Sequence, residues 1–232
     1  MMTDVRRPEA ILFDVDGTLY HQPPVRREMT RQLARFCFRS PFAGLRTVRF
    51  LSAYRRAQEN LRLEETEDAP GRQLSVACSG TRLDTELATR IVEEWMGKRP
   101  LQVVAAFRRE GLLELLTAAQ KAGIRRGVFS DYPAGGKLRA LGCEGLFDSI
   151  LSAQDPAVRA FKPSPRGLVE SLRRMGVAPG EALHVGDRPE VDGEAARRAG
   201  IKCVIIGLPE TRYGPGWSGI PSFPRLQEVL GI

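Results

Sequence analysis

The sequence lacks paired cysteines and long apolar runs. Its cysteines carry no CxxC pair and are scattered at Cys37, Cys78, Cys143 and Cys203. This spacing favours neither a zinc site nor a disulfide framework. No stretch approaches the ~20 apolar residues that cross a bilayer, and the first residues lack the pattern of a secretory signal. We therefore expect a protein located in the cytoplasm, without membrane contact.

Acidic residues are outnumbered. The 35 lysines and arginines against 28 acidic residues give a net charge of +7. This positive charge favours anionic ligands, from phosphometabolites to nucleic acid. Between Val25 and Leu63 the chain has ten arginines, two glutamates and no lysine. Arginines recur opposite an apolar helical face at Arg27, Arg31, Arg35 and Arg39. Such a stripe is typical of the solvated side of a helix, and nearby aromatics are spaced for a core, which disfavours a nucleic-acid partner.

Short apolar runs alternate with helical patterns along most of the chain. The strand-like runs lie at residues 10–13, 127–129, 182–185 and 203–206. The helical patterns lie at residues 112–121, 166–175 and 190–199. This alternation predicts an α/β fold, a doubly wound parallel sheet with helices on both faces. In such sheets ligands bind beyond the carboxyl ends of the strands.

The alternation is interrupted from about residue 24 to residue 100, where helical periodicity occurs without a convincing strand. One helix carries Val25, Met29 and Leu33 on its apolar face. A second covers residues 47–61, and a third runs to Met96 from a predicted capping box formed by Thr81 and Asp84. The polar stretch 64–79 is predicted to be a loop. We interpret the whole segment as an inserted helical domain.

The first candidate site is the sequence FDVDGTL, which places Asp14 and Asp16 two residues apart at a strand end. Gly17 frees the backbone to turn, so both carboxylates can reach one pocket. One carboxylate could attack phosphorus while a hard cation neutralises charge, and the other could give and take the leaving-group proton.

Two further candidates carry groups that bind phosphate. Ser130 and Asp131 follow a predicted strand, where a hydroxyl and backbone N–H groups can hold phosphate oxygens. Lys162 precedes Ser164 and Pro165, which are predicted to be an N-cap and a first helical residue. Lys162 would then lie just outside a helix and point its charge into the crevice.

The fourth candidate is GDRPEVD, in which a strand ends in Asp187 and a second acid, Asp192, follows at a helix start. Asp187 can reach a metal ion shared with Asp14, and Asp192 can support that metal site through its neighbours.

In this order the four motifs resemble those of the haloacid dehalogenase superfamily, over residues 8 to 20 and about 105 to 210. The resemblance implies a Rossmann-like core and makes Asp14 the nucleophile and Asp16 the general acid and base. Ser130 and Lys162 would be catalytic residues that stabilise the phosphate and the aspartyl-phosphate. Asp131 is expected to bind phosphate beside them.

The resemblance also implies a magnesium cofactor. Its ligands would be Asp14, the backbone carbonyl of Asp16, and Asp187, with Asp192 assisting. The superfamily's dehalogenases lack the second aspartate of the first motif, whereas Asp16 is present here, which favours phosphate chemistry.

The insertion is similar to the helical cap of the superfamily's subclass I. The expected domains are a core, residues 1–20 and 105–232, and a cap, residues 21–104. We expect a magnesium-dependent phosphatase acting on a small phosphorylated metabolite, as a monomer or homodimer. A sugar-phosphate mutase and a non-catalytic phosphate-binding or regulatory protein stay open as alternatives.

Overall fold

The strands form one parallel sheet. The computed structural model describes residues 7–64, 68–211, 213 and 216–232. Its strands are β1 (Ala10–Phe13), β2 (Arg125–Ser130), β3 (Ser149–Ser152), β4 (Ala182–Gly186), β5 (Lys202–Ile206) and β6 (Trp217–Ile220). They form a 6-stranded sheet in the order β3-β2-β1-β4-β5-β6, and every neighbouring pair is parallel.

Helices cover both faces of this sheet. They are α5 (Leu112–Lys121), α6 (Gly135–Ala140), α7 (Arg166–Met175), α8 (Glu194–Ala199) and α9 (Phe223–Leu230). In β1, Ile11 and Phe13 join one core cluster with the apolar side chains of α5 and α9, while Ala10 and Leu12 join a second with those of α7 and α8. Alternate residues of a strand face opposite sides, so both faces are buried. The expected doubly wound α/β fold is confirmed.

The sequence patterns did not indicate β3 and β6. Both are edge strands, and each pairs with one neighbour only. An edge strand keeps part of its side chains in solvent, and Ile150 of β3 is 43% exposed. Apolar runs are therefore weaker there than in the central strands.

Helices and helical turns make up most of the segment between β1 and α5, from Gln22 to Phe107, and this segment is called the helical insertion below. Its helices are α1 (Gln22–Arg39), α2 (Pro41–Glu64), α3 (Ala69–Thr81) and α4 (Thr85–Val92), followed by short π- and 3₁₀-helical turns. None of the described residues between 21 and 104 forms a strand. The chain segments that enter and leave the insertion pair with each other through an isolated antiparallel bridge between Tyr20 and Arg108. Arg108 lies three residues after residue 105, where the sequence predicted that the core resumes.

Two predictions inside the insertion were wrong. Residues 64–79 are not a loop, because α3 begins at Ala69, although residues 65–67 lie outside the described part of the chain. The buried face of α3 includes Gln73 and small residues, so the sequence shows little apolar periodicity. Thr81 ends α3 and caps no helix start. Asp84 alone caps α4, accepting from the N–H groups of Glu86 and Leu87 at 2.9 and 3.2 Å.

Among the described residues, no helix combines the length and apolarity needed to cross a membrane.

Candidate active site at the carboxyl edge of the sheet

Asp14 and Asp16 follow β1 at the carboxyl edge of the sheet. The Asp14 N–H donates to the Val185 carbonyl at 2.9 Å, which continues the pairing between β1 and β4 past the strand end. Gly17 then adopts a φ of +101°, and a Cβ there would lie 2.0 Å from an oxygen of Asp187. Only glycine permits this turn and this close approach. The turn places both carboxylates in one cavity.

Asp14 is held by two side chains. The Lys162 ammonium donates to Asp14 Oδ1, and the Thr18 hydroxyl donates to Oδ2 at 3.2 Å. Lys162 is only 2% exposed and also donates to Asp192 at 2.7 Å. A buried ammonium is tolerated because both carboxylates compensate its charge.

Burial and the neighbouring acids set the protonation of this group. Burial raises the pKa of Asp14 well above its usual range, Lys162 opposes the shift, and Asp192 adds to it. Burial alone would lower the pKa of Lys162, but Asp14 and Asp192 outweigh it and the pKa is raised. Lys162 therefore remains a cation, and Asp14 lies where added positive charge would favour its ionised, nucleophilic form.

Asp192 organises the loop after β4. One carboxylate oxygen accepts from the backbone N–H groups of Asp187 and Arg188 at 3.1 and 3.0 Å. The other accepts from Lys162 and contacts His184 Nε2 at 3.3 Å. Burial opposes ionisation, but Lys162 and His184 outweigh it and the pKa of Asp192 is lowered. Asp192 is thus a fixed anion that positions its neighbours.

Asp14, Asp187 and Asp192 each offer an oxygen, and these three atoms lie within 4.8 Å of one another. Burial, followed by repulsion from Asp192, raises the pKa of Asp187 to about 6. Such crowding of carboxylates is costly without a cation, and carboxylate oxygens are the ligands that hard divalent cations prefer. The donor set fits a divalent ion of this kind.

Asp16 has partners that the sequence did not reveal. Lys137 of α6 donates to its Oδ1 and Oδ2 at 2.5 and 2.7 Å, and the Tyr20 hydroxyl also donates to Oδ1. Burial would raise the pKa of Asp16, but Lys137 outweighs it and the pKa is lowered. Lys137 lies in the helix that follows Ser130, far from Asp16 in the sequence, so no local sequence pattern indicates that the two residues pair.

Ser130 ends β2, and Asp131 follows it beside Lys162. The Ser130 hydroxyl accepts from the Tyr132 N–H at 3.4 Å. The Asp131 carboxylate accepts from the Lys162 N–H at 3.1 Å and forms an ion pair with Arg62 of α2. Because this carboxylate is already compensated, only the backbone N–H of Asp131 is suited to phosphate.

Arg62 links the helical insertion to the site. Its guanidinium donates to the Lys162 carbonyl as well as to Asp131, and Gln58 donates to Asp131 at 3.3 Å. Arg62 is the buried exception among the many arginines of α1 and α2. The helical periodicity of α2 could have predicted that Arg62 lies on the buried face, next to Leu61. It could not have predicted the contact with Asp131.

A cavity of about 550 Å³ lies between the insertion and the sheet edge. The sequence-predicted site residues all line it, namely Asp14, Asp16, Ser130, Asp131, Lys162, Asp187 and Asp192. The predicted arginine stripe does not line it and is exposed, as expected for a solvated helix face.

The chain is similar in sequence to known proteins. The family model for haloacid dehalogenase-like hydrolases matches residues 8–200 of the 232. A glyceraldehyde 3-phosphate phosphatase from Methanopyrus kandleri is 28% identical over 85% of this chain and 83% of that protein. A phosphoglycolate phosphatase from Rhodospirillum rubrum is 28% identical over 88% and 82%. The Bacillus subtilis protein YhcW is 35% identical over 131 residues, only 55% of this chain and 56% of that protein.

Solved structures show the same fold. A 2-haloacid dehalogenase from Pseudomonas syringae gives a TM-score of 0.66 at 22% identity, covering 96% of this chain and 97% of that one. The Bacillus subtilis protein YfnB, solved with magnesium, gives 0.70 at 15% identity, covering 98% and 100%. A β-phosphoglucomutase from Clostridium difficile gives 0.63 at 20% identity, covering 97% of each chain.

Proposed function

Because the chain belongs to the haloacid dehalogenase-like hydrolases and is a hydrolase of their phosphatase type, we propose that it hydrolyses a small phosphomonoester through a phospho-aspartate on Asp14. The observation that carries this proposal is the contact of the buried Asp14 carboxylate with Lys162, beside Asp187 and Asp192. A nucleophilic carboxylate next to a fixed cation and a set of hard-ion ligands is suited to phosphoryl transfer.

In the first step a carboxylate oxygen of Asp14 bonds to phosphorus while the bond from phosphorus to the leaving oxygen breaks. Lys162 offsets charge on the transferring group, and the N–H groups after β2 hold its oxygens together with Ser130. Asp16 protonates the departing alkoxide. Its lowered pKa means that it is ionised beside Lys137, so it gains its proton when the phosphoryl dianion enters and opposes the field of Lys137.

In the second step water attacks phosphorus and the bond to Asp14 breaks. Asp16, now ionised, takes the proton from that water, and inorganic phosphate leaves. Lys137 and Tyr20 hold the Asp16 carboxylate in place throughout, because both donate hydrogen bonds to it. After phosphate leaves, Asp16 releases this proton to solvent and is again ionised beside Lys137, and Asp14 is free for another turnover.

The proposed cofactor is Mg²⁺. Asp14, Asp187 and the backbone carbonyl of Asp16 would hold it. Asp192 positions Asp187 because its carboxylate accepts a hydrogen bond from the Asp187 backbone N–H. When bound, Mg²⁺ supplies positive charge that offsets the charge of the phosphoryl oxygens and of the crowded carboxylates.

The helical insertion is proposed to act as a cap that closes over the substrate and excludes bulk water. The relatives are named for glyceraldehyde 3-phosphate and phosphoglycolate, which supports a small phosphorylated metabolite as the substrate. One of these compounds carries a carboxylate and the other does not, so the relatives leave the rest of the substrate open. A cytoplasmic monomer or homodimer completes the proposal.

A panel of phosphorylated metabolites tests this function. Purified protein with Mg²⁺ should release phosphate from at least one, and Asp14→Asn should abolish the release. The absence of release from every phosphomonoester would contradict the proposal. Accumulation of an isomerised sugar phosphate in place of phosphate would identify a mutase, and phosphate binding without turnover would identify a regulatory protein.

A further inference from the structure

The ten arginines of α1 and α2 fall into two sets. Four line the cavity, and they are Arg26, Arg55, Arg56 and Arg62. Six do not, and they are Arg27, Arg31, Arg35, Arg39, Arg46 and Arg49. All of these arginines except Arg62 are exposed, so exposure does not distinguish the two sets. The insertion therefore contributes four arginines to the lining of the cavity.

Among the described residues, three of the four lining arginines of α1 and α2 lack a partner. Arg62 pairs with Asp131. Within the described residues, no carboxylate or carbonyl accepts a hydrogen bond or ion pair from the side chains of Arg26, Arg55 or Arg56. The insertion contributes a single acid to the cavity, Glu59, which already pairs with Arg188 at 3.3 Å.

The acids of the sheet edge do not compensate these three arginines. Asp14 and Asp192 are paired with Lys162, Asp16 with Lys137, and Asp131 with Arg62. Asp187 belongs to the proposed metal site. The positive charge of the insertion wall is therefore left for a ligand.

The transferring phosphoryl group already has its cations. Lys162 and the proposed Mg²⁺ serve it at the sheet edge, whereas Arg26, Arg55 and Arg56 lie on the insertion. Apolar side chains share that wall, among them Met29, Leu33, Leu51, Trp95 and Met96. This wall suits the carbon skeleton of a leaving group with a charged end.

We propose that the leaving group of the substrate carries a second anion, a carboxylate or a further phosphate, which Arg26, Arg55 and Arg56 bind. This proposal rests on the phosphatase function and names its substrate class. Guanidinium groups bind both anions through charged, paired hydrogen bonds, so the chemistry is shared.

The test compares substrates in pairs that differ in the second anion. One pair is 3-phosphoglycerate with glycerol 3-phosphate, and the other is fructose 1,6-bisphosphate with fructose 6-phosphate. The wild-type protein should favour the member with the second anion by about tenfold or more in kcat/KM in at least one pair. The pair that shows the preference distinguishes a carboxylate from a phosphate.

The chain offers a matched control. The test variant combines Arg26→Ala, Arg55→Ala and Arg56→Ala. The control combines Arg27→Ala, Arg46→Ala and Arg49→Ala, which removes the same charge, one arginine from α1 and two from α2, from exposed positions outside the cavity. The test variant should lower the preference by about tenfold, and the control should keep it within about twofold.

Three results would overturn the proposal: no preference in the wild type, equal losses in both variants, or an equal loss for both members of a pair in the test variant. Arg55→Lys, which keeps the charge, should lose less than Arg55→Ala and serves if the triple variant fails to fold. If no compound of the metabolite panel releases phosphate, the proposed function fails. Calorimetric binding of the four paired compounds to wild type and variants then still decides the arginine proposal.

Discussion

The two walls of the cavity hold their charges differently. At the sheet edge the lysines are buried and paired, and Lys162 is 2% exposed between Asp14 and Asp192. On the insertion the lining arginines other than Arg62 are exposed and lack partners within the described residues. Paired buried charges keep one geometry, which suits chemistry, whereas exposed charges adapt to a ligand, which suits recognition.

The largest expected effect comes from removing the cation of the sheet edge. Lys162→Met leaves Asp14 and Asp192 without their partner, so phosphate release should fall by about a thousandfold. Steady-state kinetics with Mg²⁺ measures this loss. Lys121→Met, at an exposed position of α5, is the control and should retain activity. Activity within tenfold of the wild type in Lys162→Met would mean that this cation is not part of the chemistry.

Arg62 is the one buried and paired arginine among the four of the insertion that line the cavity, and its replacement tests what this pairing contributes. Arg62→Ala strips Asp131 of its ion pair and the Lys162 carbonyl of a donor, so the free energy of unfolding should fall by about 3 kcal/mol. Denaturant unfolding gives the value. Arg49→Ala, at an exposed position of the same helix, should change it by less than about 0.5 kcal/mol. Equal values for the two variants would show that Arg62 does not tie the insertion to the sheet edge.

Replacing Lys137 tests whether its ion pair positions Asp16 and lowers the pKa of that carboxyl group. Lys137→Ala should lower kcat by about thirtyfold, since Asp16 loses the partner that positions it. Because Lys137 lowers the pKa of Asp16, the limb of the pH–rate profile that reports Asp16 should move to higher pH. Arg139→Ala, on the same helix and paired with Glu144 instead, should leave the profile in place. An unmoved limb in Lys137→Ala would contradict the pairing.

The smallest effect concerns metal and pH. The pKa of Asp187 is raised to about 6, so the metal-free folded state binds more protons than the unfolded state just below that pH. Stability should therefore fall as pH rises through this window. Mg²⁺ replaces the proton, so its increase of Tm should be larger at about pH 8 than at about pH 5. Thermal melts with and without Mg²⁺ measure this increase of Tm. An equal increase at both pH values, or the same increase in Asp187→Asn as in the wild type, would contradict the prediction.

The two walls also differ in how far the sequence could reveal them. Asp14 and Asp187 end central strands, and parallel strands bring their carboxyl ends together, so the apolar runs before them predict a shared site. The edge strands β3 and β6 lack such runs. Lys137 and Arg62 lie on helices, where contact depends on how the helix is rotated and docked. No local pattern encodes that orientation, so their pairings with Asp16 and Asp131 required coordinates.

The cavity-facing arginines show the same limit. Arg26 and Arg27 are neighbours in the sequence, yet only Arg26 lines the cavity. Helical periodicity separates the apolar face from the solvated one, but it does not say which residues at the border meet a cavity formed with another part of the chain.

The most direct measurement asks whether phosphorus becomes bonded to Asp14. Protein turning over a substrate with Mg²⁺ would be quenched in acid, digested and analysed by mass spectrometry. We predict that the peptide containing Asp14 gains the mass of one phosphoryl group, and that the gain disappears in Asp14→Asn. A phosphoryl group on a different residue, or none during active turnover, would contradict the central claim.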